Sequence, residues 1–485
     1  MKILAPTAIA LAAAASFPAL AQSNAELLKE LQALKDRMQQ LEQQLKTATP
    51  AAAQPGQARQ AGPAAQWGMT PDQVRELNRV TIKAEALQDN FADQGLKGLT
   101  ISGQIDPTFI WNRRQDNAGF VLLNNGDARY TYDNSYFGMA VLDLQKETDS
   151  GTKWRLTLAP ERGTGALFNG SIVHEASVSV PLTDLQTRLW VGQIPDWTGY
   201  EYTMPWDNKL ITHNLLFDTM APTAYTGAAL EITRGKWWSR VGLANVNTAR
   251  NPAGHKSPAL VYRVDYSKGE FEGFGFTGLH GRLANFAADG TWMRDTGMPD
   301  ADGNPVFEET GFDGAGKATM AHLLEFDAYF VRGDWSVFGQ VSYGQQKGAA
   351  IFNSDGQLRD ARWWGLSTTV GYKITPRLES VLRADYVRNA RNGGGLLGYS
   401  YDDGLNGIGR GLLDDGSFAK GESVGSNRWA LALAMNYLYD ENTIFKLEFR
   451  HDGASQPVFM TQSGLDPKGY RKSNQLLGAS VVVKF

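Results

Sequence analysis

The stretch Asn474–Phe485, NQLLGASVVVKF, stands at the end of the sequence and decides the fold. Counting back by twos from its last residue gives an unbroken apolar row: Phe485, Val483, Val481, Ala479 and Leu477. The residues between them are smaller or more polar on the whole. A period of two is that of a β-strand with one apolar face. Membrane barrels and soluble β-sandwiches both contain such strands, so the rest of the sequence must separate them.

Bulk composition narrows the classes of protein. The chain has 485 residues, of which 42% are hydrophobic, yet after the first twenty no run approaches the roughly 18 apolar residues of a membrane-spanning helix. Any membrane crossing must therefore use strands. Cysteine is absent, which excludes disulfides and zinc–thiolate sites, and the net charge of −4 lacks the basic excess of nucleic-acid-binding proteins.

The N-terminal residues have the pattern of an export signal followed by a coiled coil. Residues 1–21 combine Lys2, an Ala-, Leu- and Ile-rich stretch and the A-x-A site Ala19–Ala21. Residues 22–46 then carry a heptad row: Leu27, Leu31, Leu34, Met38, Leu41 and Leu45. This predicts a short coiled coil, although a single amphipathic helix on a domain surface would give the same spacing. Because leucine occurs at both core positions, the sequence does not distinguish a dimeric from a trimeric coiled coil.

A linker and a second helix lead into the main domain. Residues 47–69 are rich in Pro, Ala, Gln and Gly and have no periodicity, which is typical of a flexible linker. Thr70 and Pro71 then provide an N-cap and a proline at the first helical position, so a helix is predicted over 70–91. The sequence leaves open whether this helix lies at the periplasmic base of a barrel or plugs its lumen.

Between residues 99 and 485, sixteen stretches alternate apolar and polar residues with a period of two. They are 99–113, 134–146, 152–162, 171–182, 185–196, 223–235, 237–247, 259–268, 270–283, 322–333, 335–347, 362–375, 377–390, 428–439, 442–452 and 474–485. After the first stretch, long and short connections alternate, as in a transmembrane barrel with external loops and tight periplasmic turns. We therefore predict an all-β fold: a sixteen-stranded antiparallel transmembrane barrel with both termini in the periplasm, preceded by the coiled coil.

Charged residues occupy the face of the strands opposite to the apolar rows. In lipid, Arg or Lys at midplane would cost about 2–4 kcal/mol, so this face should line the lumen. The predicted pore-lining residues are Arg155, Arg188, Arg263, Asp265, Glu325, Asp327, Arg383, Asp385 and Arg450. Either these charges only pair with one another and solvate the lumen, or the arginines form a ladder that favours anions.

The third long connection, Trp197–Pro222, is too aromatic for a solvated loop. It would be buried if it folded into the lumen, or equally if it packed on the rim of a neighbouring subunit. In the first case a constriction would be lined by Tyr200, Glu201, Tyr202, Trp206, Asp207, Lys209 and His213.

No other motif points to chemistry. Asp300, Asp302 and Asn304 begin like a calcium loop, but Pro305 stands where glycine is required, so only loose calcium binding stays open. The six histidines are scattered and no serine lies in a G-x-S-x-G elbow. We expect no catalytic residue, no metal site and no cofactor, and hence no enzyme.

From Gly68 to Phe485 the chain resembles a proteobacterial outer-membrane family that is catalogued as a domain of unknown function. The stretches that carry the resemblance are Asp133–Glu147, Ser171–Leu185, Leu189–Tyr202 and Ile211–Pro222. The terminal aromatic strand resembles the assembly signal of Gram-negative outer-membrane barrels. The layout is similar to the DcaP-like and phosphate-selective porins, which are trimers. The resemblance implies a homotrimer in the Gram-negative outer membrane, in contact with its lipid and lipopolysaccharide.

Two functions of different class follow. The first is an outer-membrane porin giving passive or weakly selective diffusion of small hydrophilic solutes, expected to be anions. The second is a structural or interaction barrel whose coiled coil engages the periplasm or cell wall.

Overall fold

The computed structural model describes one short helical stretch and most of the main domain. The described residues are 76, 79–83, 95–114, 117–123, 137–160, 172–246, 258–269, 271–283, 291–311, 318–351, 358–389, 425–460 and 470–485. The predicted signal (1–21), coiled coil (22–46) and linker (47–69) lie outside them. The chain divides into two compact units, Met1–Ala86 and Leu87–Phe485.

In the first unit, Glu76 and residues 79–83 are helical, within the helix predicted over 70–91. Glu76 and Arg79, one turn apart, form an ion pair of 2.9 Å between exposed side chains. No helix in the described part of the chain is long and apolar enough to cross a membrane.

The second unit is built from antiparallel strands. In chain order they are β1 (Leu99–Ile105), β2 (Thr108–Asn112), β3 (Asn117–Val121), β4 (Ala140–Glu147), β5 (Lys153–Leu158), β6 (Val173–Asp184), β7 (Thr187–Pro195), β8 (Ala224–Arg234), β9 (Trp237–Val246), β10 (Ala259–Ser267), β11 (Glu272–Leu283), β12 (Thr291–Pro299), β13 (Pro305–Gly311), β14 (Thr319–Arg332), β15 (Trp335–Ile351), β16 (Leu358–Thr375), β17 (Leu378–Arg388), β18 (Arg428–Asp440), β19 (Thr443–Ala454), β20 (Phe459–Met460), β21 (Tyr470–Arg471) and β22 (Ser473–Lys484).

Within the described residues, the large sheet contains eighteen strand segments that close into a barrel of sixteen strands. Segments β1 and β2 form one barrel strand, since both pair with β22, and β3 and β4 form the next one. The sheet closes between its first and last strands, with Ile105 opposite Val483 and Phe109 opposite Ala479. The predicted all-β, sixteen-stranded antiparallel barrel is confirmed.

The first barrel strand is broken at Asp106–Pro107, where proline lacks the N–H that a ladder needs. The Asp106 carboxylate substitutes for the missing pairing: it accepts hydrogen bonds from Thr108 Oγ1 at 3.0 Å and from Gly138 N at 2.9 Å, and also from Ser480 Oγ. Through these bonds the barrel wall remains hydrogen bonded across the break.

Several boundaries differ from the predicted ones: the predicted connections 284–321 and 453–473 contain the hairpins β12–β13 and β20–β21, and two further differences lie in the barrel wall. The connection predicted over 114–133 contains β3. The period of two does not reveal this strand, because its sequence NAGFV is short and begins with polar and small residues. Strands β15 and β16 run further at the loop end than predicted and pair as far as Ile351 and Leu358. We use "loop end" for the side with the long connections and "turn end" for the side with short turns such as 333–334.

The two faces of the barrel wall differ as the alternation requires. Large apolar side chains on the outward face are exposed, among them Val341, Leu366 and Leu433. Aromatic pairs mark its borders, with Trp335 on Tyr372 at the turn end and Trp364 on Tyr386 nearer the loop end. Trp364 and Tyr372 on β16 are roughly 27 Å apart along the strand. Tilted by about 40°, the strand spans roughly 20 Å between them, comparable with the apolar band of about 25 Å in known barrels.

The connection Trp197–Pro222, which we call the lumen loop, lies inside the barrel. It contains a short 3-10 turn, Pro205–Asp207, and the helix α1 (Leu215–Met220), whose residues are all buried. Asn214 caps α1 by accepting a hydrogen bond from Phe217 N at 2.7 Å. Gly365 on β16 makes room for the helix, since a Cβ there would lie 2.9 Å from the Leu216 side chain.

Candidate functional site

The lumen loop is held against one half of the wall by two arginines. Arg383 donates to the carbonyl oxygens of Thr212 at 2.6 Å and His213 at 2.8 Å. Arg450 donates to the same His213 oxygen at 2.8 Å and to Thr212 Oγ1 at 3.0 Å. Both guanidinium groups are fully buried. They occupy the interface between loop and wall and do not face open lumen.

Other charged side chains extend this attachment. Glu448 accepts hydrogen bonds from the backbone N–H groups of Ile211 at 2.6 Å and Thr212 at 3.0 Å. Lys446 donates to the carbonyl oxygens of Pro205 and Asn208, each at 2.6 Å. An irregular loop buried in a lumen has backbone groups that need partners, and charge-assisted bonds are the strong ones. The wall therefore supplies the hydrogen bonds that a β-ladder would otherwise give.

The charges in this half compensate one another. Arg383 lies 2.9 Å from Glu201 of the loop and 3.1 Å from Asp385 of its own strand. Arg450 and Arg428 share Asp452, at 3.0 Å and 2.6 Å. Burial without such pairing would cost several kcal/mol per ion. This half of the wall is thus a closed, paired network.

The opposite half of the wall faces a cavity of about 820 Å³ between itself and the loop, which we call the passage. The loop contributes Tyr202, 62% exposed, and the exposed carboxylate of Asp207. The wall contributes aromatic side chains, among them Trp238, Tyr329 and Phe338. The passage is therefore lined by both charged and aromatic side chains.

Each wall arginine of the passage lies between two carboxylates. Arg155 is 2.9 Å from Asp143 and 3.3 Å from Glu175. Arg263 is 2.7 Å from Asp265 and 2.8 Å from Asp327. In the described part of the chain, the passage lining contains two guanidinium groups, of Arg155 and Arg263, and six carboxylates, of Glu175, Asp196, Glu201, Asp207, Asp265 and Asp327. Acidic groups thus outnumber basic ones around the open space.

A third arginine, Arg240, is held by aromatic rings. Its guanidinium carbon lies 4.4 Å from the ring centre of Trp190, 4.9 Å from that of Trp238 and 5.0 Å from that of Trp197. It also pairs with Glu231. This cation–π arrangement fixes the start of the lumen loop at Trp197, whose carbonyl oxygen accepts a hydrogen bond from Arg263 at 2.7 Å.

The remaining predicted pore-lining residues lie in the wall. Arg188 is buried and donates to Ser179 Oγ and Gly151 O, both at 2.7 Å. Glu325 is buried and accepts a hydrogen bond from Gln340 Nε2 at 2.8 Å and another from Ser342. Of the five predicted ladder arginines, the structure therefore places only Arg155 and Arg263 beside the passage.

The seven residues predicted for a constriction all lie in the lumen loop, but they do different things. Tyr200 Oη hydrogen bonds to Ser367 and Thr369 of the wall, at 2.7 Å and 2.8 Å. Lys209 pairs with Glu379 at 2.6 Å, and Glu201 with Arg383 at 2.9 Å.

The other four predicted residues surround these contacts. The Trp206 ring lies under Lys484, 4.1 Å from its ammonium, and His213 stacks on Phe217 at 4.0 Å. Tyr202 and Asp207 are the exposed ones and face the passage. Enclosure in the lumen raises the pKa of Asp207, and the positive charges of Lys446, Arg155 and Lys484 oppose this shift.

The alternation of residues predicts neither the backbone attachment of the loop nor the aromatic cage around Arg240. Lys446 and Glu448 belong to the polar face of β19, so the alternation shows their orientation, but nothing in a sequence shows which loop carbonyl or amide they reach. Arg240 lies on β9, which begins with two consecutive tryptophans, Trp237 and Trp238, and these obscure the period of two. Only the structure shows that Trp238 lines the passage.

No metal site accompanies these groups. Within the described residues, no set of three or more His, Asp or Glu side chains is arranged to hold a metal ion. The candidate calcium loop is the turn between β12 and β13. There Asp300 Oδ1 accepts from the backbone N–H groups of Asp302 and Asn304, at 2.9 Å and 2.8 Å.

Several solved outer-membrane proteins are similar to this chain in structure. The outer membrane channel DcaP of Acinetobacter baumannii is 12% identical, with a TM-score of 0.49 over 80% of this chain and 97% of its own. An anion-selective porin from Comamonas acidovorans is 10% identical, with a TM-score of 0.48 over 80% and 99%. OmpT of Vibrio cholerae, an outer membrane protein, is 9% identical, with a TM-score of 0.47 over 80% and 97%. No curated protein matches the sequence.

A family model matches nearly the whole chain, over residues 2–485. Its description is "Protein of unknown function (DUF3138)", and the chain belongs to this family.

Proposed function

We propose that this protein is a porin of the Gram-negative outer membrane through which small hydrophilic solutes diffuse passively. The observation that carries the proposal is a closed barrel whose lumen loop is attached to one half of the wall and leaves beside it a cavity of about 820 Å³ lined by charged and aromatic side chains. A barrel that served only as an anchor would not need an open lumen lined by charged groups.

The outward face supports the location. It is a continuous apolar surface bordered by aromatic rings, as required in contact with lipid. In this proposal the turn end and both termini are periplasmic, lipid and lipopolysaccharide surround the barrel, and the protein assembles as a homotrimer. The signal peptide and the coiled coil of residues 22–46 remain predictions from the sequence.

The charge preference proposed from the structure is for cations. The sequence suggested anions because of the arginine ladder, but Arg383 and Arg450 are buried beneath the loop. Arg155 and Arg263 are each outnumbered by adjacent carboxylates, and Asp207 faces the passage from the loop. Rings of acidic side chains favour cations in channels. A small cation should therefore pass more readily than an anion of the same size.

Single-channel recording in planar bilayers tests the porin. Purified protein should insert with reproducible conductance steps, grouped in threes for a trimer. In a salt gradient, the reversal potential should have the sign of cation preference. Replacing residues 199–219 by a short Gly/Ser linker should raise the conductance severalfold, because the lumen loop would no longer fill half of the lumen.

Electrically silent protein, with and without the loop, would contradict the porin and favour the alternative of a structural barrel. A reversal potential of the opposite sign would leave the porin intact and restore the anion preference expected from the sequence.

A further inference from the structure

A group of basic side chains lies on the outward face of the wall, at the loop end of β11 and β14–β17. Their position follows from the alternation: Leu324 and Phe326 are exposed outward on β14, so His322 shares their face, and Arg362 likewise shares the face of Trp364 and Leu366. We call this group the cationic belt. It consists of His280, Arg282, His322, Lys347, Arg362 and Arg388.

The strand register brings the belt together. His280 lies opposite His322, which lies opposite Gln345, which in turn lies opposite Arg362. Arg388 lies opposite Trp364, two residues from Arg362. With strands about 4.8 Å apart, five neighbouring strands place these groups within roughly 20 Å of one another. Side chains from separate parts of the sequence thus form one surface.

The belt lies just beyond an aromatic row. Tyr343 and Trp364 are cross-strand neighbours on the outward face and are 42% and 39% exposed. Aromatic rings of this kind sit at the boundary between hydrocarbon and headgroups. Long basic side chains one row further on reach the headgroup layer itself.

The belt has little negative charge to balance it. Arg282 donates to the carbonyl oxygen of Ala318 at 3.4 Å, and within the described residues Lys347, Arg362 and Arg388 form no ion pair with a carboxylate. On the outward face of these five strands, the carboxylate described nearest to them is that of Asp360, which accepts a hydrogen bond from Gly348 N at 3.1 Å. Among the described residues the belt therefore has more positive than negative charge, and this excess comes from Arg282, Lys347, Arg362 and Arg388, because His280 and His322 hydrogen bond to each other at 2.9 Å.

Some basic side chains at the turn end have carboxylate partners. There the basic side chains Arg234 and Lys268 are paired with Asp184 at 3.0 Å and with Glu272 at 2.8 Å. Exposed basic side chains without carboxylate partners on the outward face of a membrane barrel match a leaflet with anionic headgroups. The leaflet at the loop end should be the one with dense phosphate groups.

We propose that the cationic belt binds the phosphate groups of lipopolysaccharide in the outer leaflet. Guanidinium groups bind phosphate through paired N–H donors, and lysine adds a point charge. The glucosamine phosphates of lipid A lie at the level of the headgroups, where the belt ends. This inference rests on the proposed function, because it assumes that the loop end faces the cell exterior.

Binding of lipid A to the purified full-length barrel tests the proposal. Diphosphoryl lipid A and its enzymatically dephosphorylated form would be titrated into detergent-solubilised protein, and bound lipid counted by native mass spectrometry. The belt variant is Lys347→Gln/Arg362→Gln/Arg388→Gln. The matched control, Arg234→Gln/Lys268→Gln/Arg332→Gln, removes three basic groups at the turn end.

We expect wild type and control to bind diphosphoryl lipid A far more tightly than the dephosphorylated form. Three basic groups near a lipid surface are worth a factor on the order of 100 in affinity, and the belt variant should lose most of it. Equal binding of the two lipids by wild type would overturn the proposal. This comparison uses only the wild-type protein, so it does not depend on whether a variant folds. Undiminished binding by a folded belt variant would overturn it as well.

Single-channel recordings on the same preparations separate this inference from the proposed function. Silent protein that still prefers diphosphoryl lipid A would overturn the porin and support the belt. Conducting protein that binds both lipids equally would overturn the belt alone.

Discussion

The two halves of the lumen wall contain the same types of residue and use them differently. In the half beneath the lumen loop, Arg383 and Arg450 are completely buried, matched by carboxylates and hydrogen bonded to loop carbonyls. In the half that faces the passage, the Arg155 side chain is 40% exposed. The first set holds the loop in place, and the second lines the space through which solutes would move. Orientation toward the lumen is therefore not enough to make an arginine part of the pore.

The strongest test of this difference is to remove one arginine from each half. Arg383→Gln leaves Glu201, Asp385 and two loop carbonyls without their partner in a buried site, so the free energy of unfolding should fall by about 3–5 kcal/mol. Arg155→Gln should cost about 1 kcal/mol, since water can replace a partly exposed side chain. Urea titrations of the folded barrel in detergent, followed by circular dichroism, would measure both. Equal losses would contradict the division of the wall into two halves.

A second test concerns the acidic group that holds the loop backbone. In Glu448→Gln, the amide oxygen can still accept from the N–H groups of Ile211 and Thr212, which share one carboxylate oxygen, but these bonds lose their charge assistance, and the NH2 group replaces the oxygen that accepts from Thr212 Oγ1. The free energy of unfolding should fall by about 1.5–3 kcal/mol. The loop should also become less fixed, which single-channel recordings would register as larger current fluctuations. Asp265→Asn, on the passage side, is the matched control and should leave the noise unchanged.

A third test addresses the passage itself. Asp207→Lys reverses one exposed charge beside the open space, so the cation-to-anion permeability ratio should fall by roughly threefold. The free energy of unfolding should fall by only about 1 kcal/mol, because Asp207 is exposed, although Lys446, Arg155 and Lys484 lie near it. Reversal potentials in a salt gradient would give the ratio. An unchanged ratio would show that the passage lies elsewhere in the lumen.

The smallest expected effect is on the pH dependence of selectivity. Because enclosure raises the pKa of Asp207, this carboxyl takes up its proton at a higher pH than an ordinary aspartate, whose pKa is about 3.9. As the pH is lowered, the cation preference should begin to weaken above that value. The Asp207→Asn variant should lack this component. A wild-type profile identical to that of the variant would contradict the assignment.

The barrel could be predicted because the period of two and the loop lengths are local properties of the sequence. The closure of Asn474–Phe485 on the first strand follows from them, and the structure shows it in the register of Ile105 with Val483. Strand β3 is the exception, since Asn117, Ala118 and Gly119 offer no apolar alternation from which a strand could be predicted.

The arrangement of charges in the lumen could not be predicted in the same way. The alternation shows that Arg155 and Arg383 both point inward, but it does not show which of the two the loop covers. That depends on where the thirteen residues Lys209–Ala221 lie in three dimensions, and on contacts with partners such as Glu448, more than two hundred positions away. The same limit hid the cationic belt, whose members come from five strands and meet only through the register.

The way in which the lumen loop is attached has an evolutionary consequence. Many of its attachment points are main-chain atoms: the carbonyl oxygens of Trp197, Pro205, Asn208, Thr212 and His213 and the amide of Ile211. Main-chain atoms are present whatever the side chain. Exposed positions of the loop such as Tyr202 and Asp207 can therefore mutate while the loop keeps its path. Relatives of this protein can diverge in the solutes they admit by drift at a few exposed positions, on a barrel that does not have to be redesigned.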